Sequence, residues 1–192
     1  MIGYYIYSNS NNLIANSTSE NSSNYGFLLG GGSTSNRIVN NSANGSLSAF
    51  YLITSSNNTL ANNTAQDASL RGFFLYSSSL NNSLEGNTAI NCSTGFEIQS
   101  SSLSRMSGNT AYNNSFYGVY LNSPGTASLA GDHLYANARD FRVQPGFSAA
   151  QINMAGVIFD HAGDGLDRQA LRPSKRKHLT VPPPAQAPSA GA

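Results

Sequence analysis

A short motif recurs along the chain at an almost constant interval, and this periodicity constrains the fold more than any other feature. The motif is a small residue followed by an alternating apolar stretch, and it starts at Gly3, Gly26, Ala49, Gly72, Gly95, Gly118 and Asp140. The first five steps are 23 residues each and the last is 22. A fixed period of this length is typical of solenoids and other repeat architectures.

Each motif alternates as a half-buried β-strand does. In the repeat that starts at Gly72, Phe73 and Leu75 are predicted to point inward and Phe74 outward. The leading glycine suits a tight corner where a side chain would collide or φ would be positive. Runs of Ser and Asn follow each strand and predict turns.

A second pattern, [Leu/Ile/Met]-x-x-Asn-x-Ala, occupies the second half of most repeats. Equivalent residues stack in register in a parallel solenoid, and stacked side-chain amides donate to and accept from one another. An ionised Asp132 cannot donate, so it is expected to end or distort the stack. The sequence therefore predicts an internal asparagine ladder made of Asn16, Asn41, Asn63, Asn87 and Asn109.

Two or three short strands per repeat, without helical periodicity, predict an all-β fold. It is a single right-handed parallel β-helix of about seven coils of 22–24 residues. Leucine-rich repeats have a similar period but place Asn in a different leucine frame, and a propeller blade needs roughly 40 residues or more.

The repeats are expected to cover residues 1–143, and the segments after them differ in composition. A degenerate last coil or cap is expected over 144–172, with one or two strands within 152–159. The Pro/Ala-rich basic segment 173–192 is expected to be a disordered tail. Nothing before Gly3 covers the open strand edges, so the chain is expected to be part of a longer solenoid.

The repeated pattern Gly-[Phe/Ile/Val]-Tyr-Leu, followed by Ser-x-x-Asn-x-[Ile/Leu]-x-x-Asn-x-Ala, resembles the NosD-type β-helix repeat. That family is also called the periplasmic copper-binding repeat family. It belongs to the broader class of carbohydrate-binding and sugar-hydrolysing β-helices. The resemblance covers residues 3–143, and the richness in Asn, Ser and Gly is similar to that of archaeal surface proteins. It implies the β-helix fold and a surface location. The family name implies copper handling, but none of its positions transfers to a residue of this chain.

Composition excludes several classes of function. Charged residues are 10% of the chain and the net charge is +1, so no strong field attracts nucleic acid. Cys92 is the only cysteine, which excludes an internal disulfide and is taken as structural. No apolar run approaches the length of a membrane span. No signal peptide is visible, and the resemblance implies an extracellular or cell-surface location.

Acidic and soft side chains do not form a predicted site. The acids of the repeats, Glu20, Asp67, Glu85, Glu97, Asp132 and Asp140, fall in different phases of the coil. No pair of histidine, cysteine or methionine residues has metal-ligand spacing. Asp160, Asp164 and Asp167 with His161 suit either a weak Ca²⁺ loop or a polar turn, and the turn is preferred. We therefore expect no catalytic residue, no metal and no cofactor in this chain.

The residue predicted to point outward from each first strand forms a column that is largely aromatic. Its members are Tyr5, Leu28, Tyr51, Phe74, Glu97, Tyr120 and Arg142. A flat aromatic strip flanked by Asn and Ser is a surface on which sugar rings stack. The alternative is that aromatic residues simply pair well across strands. Tyr5, Tyr51, Phe74 and Tyr120 are therefore the candidate carbohydrate-binding residues.

Nine Asn-x-Ser/Thr sequons add a second surface feature, although several arise from composition alone. They begin at Asn16, Asn21, Asn40, Asn44, Asn57, Asn62, Asn81, Asn91 and Asn113. Asn16 is expected to be a poor acceptor because it is assigned to the internal ladder.

Two functions remain open. One is a non-catalytic surface module that binds glycans or other surface proteins or serves as structural display. The other is a fragment of a β-helix polysaccharide lyase or hydrolase whose catalytic coils lie outside this chain.

Overall fold

The chain winds into a right-handed parallel β-solenoid of about six turns, followed by the short strands of a seventh. A computed structural model describes residues 1–101, 104–122, 126–146 and 151–159. These residues contain no α-helix. Every turn contributes one strand to each of three parallel sheets, so the predicted fold class is confirmed.

Three seven-stranded sheets form the walls of the solenoid. Sheet 1 contains β1 (Ile2–Tyr7), β4 (Tyr25–Gly30), β7 (Ser48–Ile53), β10 (Arg71–Tyr76), β13 (Thr94–Gln99), β16 (Tyr117–Leu121) and β19 (Phe141–Val143). Sheet 2 contains β2 (Leu13–Ala15), β5 (Arg37–Val39), β8 (Thr59–Ala61), β11 (Ser83–Glu85), β14 (Ser104–Ser107), β17 (Ala127–Ala130) and β20 (Ile152–Asn153). Sheet 3 contains β3 (Thr18–Glu20), β6 (Ser42–Asn44), β9 (Thr64–Gln66), β12 (Thr88–Ile90), β15 (Thr110–Tyr112), β18 (His133–Tyr135) and β21 (Ile158–Phe159).

Two strands form within 152–159, where the sequence predicts one or two, and they extend sheets 2 and 3. The predicted tail 173–192 and the acidic segment 160–167 lie outside the described residues. The division of the chain at residues 143 and 172 therefore remains a prediction.

The core is a set of identical residues stacked along the solenoid axis. The inward phenylalanines of sheet 1, Phe27, Phe50, Phe73 and Phe96, stack with centroids 4.7–4.8 Å apart and nearly parallel rings. Gly72 meets the predicted requirement for a small residue by close approach, because a Cβ there would lie 2.6 Å from the carbonyl oxygen of Gly95. The inward assignments made from alternation are confirmed for these residues.

The predicted asparagine ladder lies at the second corner, between sheets 2 and 3. Asn41, Asn63, Asn87, Asn109 and Asp132 are all buried there. The Oδ1 atom of Asn87, for example, accepts from the backbone N–H of Asn63 at 2.9 Å and from its Nδ2 at 3.0 Å. Each amide also donates to a strand carbonyl, as Asn87 does to Leu60 at 2.9 Å. The ladder thus satisfies polar backbone groups that the corner would otherwise leave buried and unpaired.

Asn16 is not part of this ladder, so that assignment is wrong. The register pairs Ile14 with Ile38 and Ala15 with Val39, which places Ser17 rather than Asn16 opposite Asn41. Asn16 is exposed and has φ +52°. It takes the left-handed conformation that turns the chain, which Asn tolerates better than most residues.

Two further polar ladders occupy the other corners. Asn12, Asn36, Asn58 and Asn82 form one at the first corner, between sheets 1 and 2. At the third corner, between sheet 3 and the next coil, the backbone N–H groups of Cys92 and Asn114 donate to the side chains of Asn114 and Asn137. In some of the coils at least, all three corners therefore contain buried side-chain amides that accept hydrogen bonds from the backbone of the adjacent coil.

The ladder at the second corner ends on Asp132 rather than on asparagine. Its Oδ1 accepts from the backbone N–H and Nδ2 of Asn109. Its Oδ2 is buried without a hydrogen-bond partner in the described part of the chain. In the preceding coil the equivalent atom, Nδ2 of Asn109, donates to the carbonyl of Leu84 at 2.9 Å, a bond that a carboxylate oxygen cannot donate. Burial raises the pKa of Asp132 from 3.8 to about 6, although its hydrogen bonds from Asn109 oppose the shift.

Replacing Asn87 with Leu should destabilise the fold strongly. The change leaves the amide of Asn63 and the carbonyl of Leu60 buried with fewer partners, and each such group costs about 1–3 kcal/mol. A lowered midpoint of thermal or urea unfolding checks this. Asn62→Gly is the matched control, because Asn62 is the exposed corner neighbour with φ +54°. An Asn87→Leu variant that melts with the wild type would contradict an internal ladder.

Replacing Asp132 with Asn should raise stability at neutral pH by up to about 3 kcal/mol, since one pKa unit corresponds to about 1.4 kcal/mol. The raised pKa means that the folded state holds this proton more tightly than the unfolded state. Wild-type stability should therefore fall as pH rises from about 4 to 6 and then level off. The free energy of urea unfolding, measured across this pH range, should fall in the wild type and should lack this fall in the Asp132→Asn variant. An unchanged pH profile would contradict the assignment to Asp132.

Candidate ligand-binding face

The outer face of sheet 1 carries the predicted strip as the middle one of three columns. The register of the parallel strands aligns Tyr5, Leu28, Tyr51, Phe74, Glu97, Tyr120 and Arg142. One flanking column contains Ile2, Tyr25, Ser48, Arg71, Thr94 and Tyr117. The other contains Tyr7, Gly30, Ile53, Tyr76 and Gln99. Six strand spacings of about 4.8 Å make the face roughly 30 Å long.

The predicted exposure of the middle column is wrong for two of the four candidate carbohydrate-binding residues. Tyr51 and Phe74 are only 8% and 7% exposed, and their rings stack 5.0 Å apart. Together with Leu28 they form a second small apolar cluster outside the solenoid. Tyr25, Ile53 and Tyr76 flank this cluster and cover it. Alternation correctly places these rings on the outer side, but large neighbours in the adjacent columns bury them.

Burial also changes the chemistry of the Tyr51 hydroxyl. Desolvation, with nearby Tyr25 and Tyr76 adding to it, raises the pKa of Tyr51 to about 12. Its phenol therefore stays neutral across the physiological range. Tyr51 and Phe74 act as the floor of the face rather than as its contact surface.

The accessible rings lie around this floor. Tyr5 is 53% exposed, and its ring lies 5.5 Å from that of Tyr7. Tyr76 is half-buried and lies 5.4 Å from Phe74. Tyr120 is half-buried and lies 5.0 Å from Tyr117. The sequence prediction included one outward residue from each strand, so four further outer tyrosines were not predicted: Tyr7, Tyr25, Tyr76 and Tyr117.

A hydrogen-bonded polar network continues the face toward the C-terminal coils. Glu97, 4% exposed, accepts from Arg71 Nε at 2.5 Å and from Asn122 Nδ2 at 3.0 Å. The guanidinium of Arg71 also lies 4.1 Å from the centroid of the Phe74 ring, which is a cation–π contact. Arg71 thus contacts both the outer aromatic layer, at Phe74, and the polar network, at Glu97.

Tyr120 belongs to the same network. Its hydroxyl donates to Asn122 Oδ1 at 3.0 Å and accepts from Gln144 Nε2 at 2.5 Å. Burial raises the pKa of Tyr120, while the hydrogen bond from Gln144 opposes the rise. The face therefore has stacking surfaces at one end and hydrogen-bonding groups at the other.

The other ionisable side chains of the coil are dispersed. Glu20, Asp67 and Glu85 are exposed at separate places, whereas Asp132 and Asp140 are buried. Within residues 1–101 and the later described ranges, no group of three His, Cys, Asp or Glu side chains is arranged to hold a metal ion. Cys92 is buried at a ladder position, and desolvation raises its pKa to about 11, so its thiol stays protonated at neutral pH.

Comparisons with known proteins agree with this architecture. The sequence model of a family described as a right-handed β-helix region matches residues 2–134. The crystal structure of the periplasmic alginate epimerase AlgG is similar, with a TM-score of 0.63 at 18% identity. Two mutant forms of it match with TM-scores of 0.63 and 0.62. The match covers 82% of this chain and 47% of the epimerase, so the chain spans about half of that protein's length.

At this identity the epimerase shows a shared fold alone. No curated protein sequence matches the chain significantly. Among the described residues, no helix is long and apolar enough to cross a membrane.

Tyr51→Ala and Phe74→Ala should each destabilise the protein by about 2 kcal/mol or more, because each removes a buried ring from a stacked layer. Tyr5→Ala should change the free energy of unfolding by less than about 0.5 kcal/mol, since Tyr5 is largely exposed. Chemical denaturation of the three variants tests this ranking. Equal stability of Tyr5→Ala and Phe74→Ala would contradict a buried outer layer.

Proposed function

The chain belongs to the right-handed β-helix family, and from that premise we propose that it is a non-catalytic glycan-binding module of a secreted or cell-surface protein. The layer of aromatic rings along the outer face of sheet 1 carries this proposal. Sugar rings stack on such rings through their C–H faces, while their hydroxyl groups need polar partners beside the stacking surface. Tyr5, Tyr76 and Tyr120 offer accessible rings, and Asn122 and Gln144 lie beside the last of them.

The shape of the face suits a polymer rather than a single sugar. Accessible rings occur from the first coil to the sixth, which corresponds to roughly 25 Å along the axis. Each ring would contribute a modest stacking energy, and several contacts along one chain would add through effective concentration. Export is part of the proposal: the structural neighbour is described as periplasmic, and we interpret the repeat pattern as similar to NosD-type and archaeal surface proteins. Assignment to that subgroup is part of the proposal.

The second candidate function is a fragment of a polysaccharide-modifying enzyme. Its support is the fold shared with an alginate epimerase and the meeting of Glu97, Arg71 and Tyr120 on one face. A catalytic base must reach the proton that it abstracts. Glu97 is almost fully buried, and both of its oxygens accept hydrogen bonds from side chains. Binding without catalysis therefore fits the geometry better.

Affinity electrophoresis of the full chain against neutral and acidic polysaccharides tests the proposal. Tyr5→Ala and Tyr76→Ala should each weaken binding about tenfold, which corresponds to about 1.4 kcal/mol of lost stacking. Tyr135→Ala is the matched control, because Tyr135 stacks on Tyr112 in sheet 3 instead.

Three results would contradict the proposal. They are the absence of binding to any polysaccharide, an equal loss in Tyr135→Ala, and a change in the length or composition of the bound polymer during incubation. The last result would favour the enzyme fragment.

A further inference from the structure

Eight of the nine sequon asparagines occupy one structural position, the exposed left-handed residue that turns a corner. Their φ values lie between +51° and +56°, and all eight are exposed: Asn16, Asn21, Asn40, Asn57, Asn62, Asn81, Asn91 and Asn113. Each directly precedes a buried or half-buried corner residue such as Asn41 or Asn63. The reason for expecting Asn16 to be a poor acceptor does not hold, because Asn16 lies outside the ladder.

The coil uses the backbone of these residues and leaves their side chains outside. The N–H of Asn40 donates to the carbonyl of Ala61, and the N–H of Asn62 donates to that of Glu85. The equivalent positions in later coils are Gly86, Gly108 and Gly131, so the fold needs no side chain there. A large group attached to Nδ2 would project into solvent without disturbing the core.

The ninth sequon differs from the other eight at both its asparagine and its hydroxyl residue. Asn44 lies within β6, half-buried between Glu20 and Gln66 of the neighbouring strands. The hydroxyl of Ser46, which completes the sequon, is buried. By contrast, Thr64, which completes the sequon of Asn62, is half-buried and directed outward at the start of β9. The chain thus contains an internal reference site with the same sequence signal and a different environment.

We propose that the corner asparagines are N-glycosylation sites and that Asn44 is not. The Nδ2 nitrogen would attack C1 of a glycan carried on a lipid-linked diphosphate. The bond from C1 to the diphosphate oxygen breaks, and the nitrogen loses one proton. An export pathway supplies the donor and its transferase. This inference depends on export but not on ligand binding by sheet 1.

Stacking of the coils limits which sites are modified together. Asn16, Asn40 and Asn62 are equivalent residues of successive coils, so the backbones of neighbouring sites lie about 4.8 Å apart. That spacing is narrower than a substituted sugar ring. One folded chain therefore carries a glycan on Asn40 or on Asn62, but not on both. Asn57 lies at a different corner, where its equivalent in the next coil is Asn81, so the same exclusion applies to that pair.

A single proteolytic fragment tests these statements. Cleavage after arginine releases residues 38–71, which contain Asn40, Asn44, Asn57 and Asn62. The full chain should be secreted from a host with N-glycosylation, and this fragment should be mapped by mass spectrometry before and after enzymatic deglycosylation. We expect glycan on Asn57 in the molecules that leave Asn81 unmodified, glycan on one of Asn40 and Asn62, and none on Asn44.

Removing the hydroxyl residue rather than the asparagine keeps the corner intact. Ser42→Ala should abolish modification of Asn40 and increase occupancy of Asn62, and Thr64→Ala should do the reverse. An unmodified fragment, a glycan on Asn44, or both Asn40 and Asn62 occupied on one molecule would overturn the proposal. Loss of polysaccharide binding by sheet 1 would leave it untouched.

Discussion

The fold depends on satisfying backbone hydrogen bonds at corners that are turned three times in each coil of about 23 residues. Within a sheet, each strand forms backbone hydrogen bonds with the strands of the two adjacent coils. At a corner the backbone N–H and C=O groups point partly into the core as well as along the solenoid axis, so they need additional partners. A buried asparagine meets both demands, because its oxygen accepts from the coil below and its nitrogen donates to a strand carbonyl. Asn63 shows the complete arrangement, with its Oδ1 accepting from Asn41 and its Nδ2 donating to Ile38 and Asn87. The inward aromatic stack depends on this register, since a slip at any corner would separate Phe50 from Phe73.

The outer face of sheet 1 shows that a solenoid wall can have apolar layers on both sides. Phe73 packs inside while Phe74 packs outside, where it contacts Tyr51, Tyr76 and Arg71. The outer ring of Phe74 is thus held by neighbouring side chains on several sides. Packing against this floor restricts the accessible ring of Tyr76, and a side chain that is already ordered loses less conformational entropy in any contact that it makes.

The period, the fold class and the inward residues of sheet 1 were predictable from the sequence, because strand alternation and a constant step leave few other solutions. The exact corner positions were not. Each corner pairs an exposed left-handed residue with a buried ladder residue, and asparagine suits both. In Asn62-Asn63 the two roles are adjacent and chemically identical. In Asn16-Ser17 only the exposed left-handed residue is asparagine, and the sequence pattern assigned it to the buried ladder instead. Paired asparagines such as Asn57-Asn58 and Asn81-Asn82 were a signal for the first-corner ladder. The burial of Phe74 was not predictable from alternation within β10, because it is decided by Tyr76 two residues further along that strand and by Tyr51 on the neighbouring strand.

The same pairing explains why an architectural repeat also encodes sequons. A left-handed asparagine, a ladder residue and the outward Ser or Thr that begins the next strand read in sequence as Asn-x-Ser/Thr. The pattern arises from three independent structural demands, so the number of sequons by itself carries no functional information. Their placement does, because the left-handed residue is the one position at the corner whose side chain the fold leaves free. In the described part of the chain, the accessible rings of sheet 1 and the corner amides are side chains that the coil itself does not use, and both of our proposals concern them.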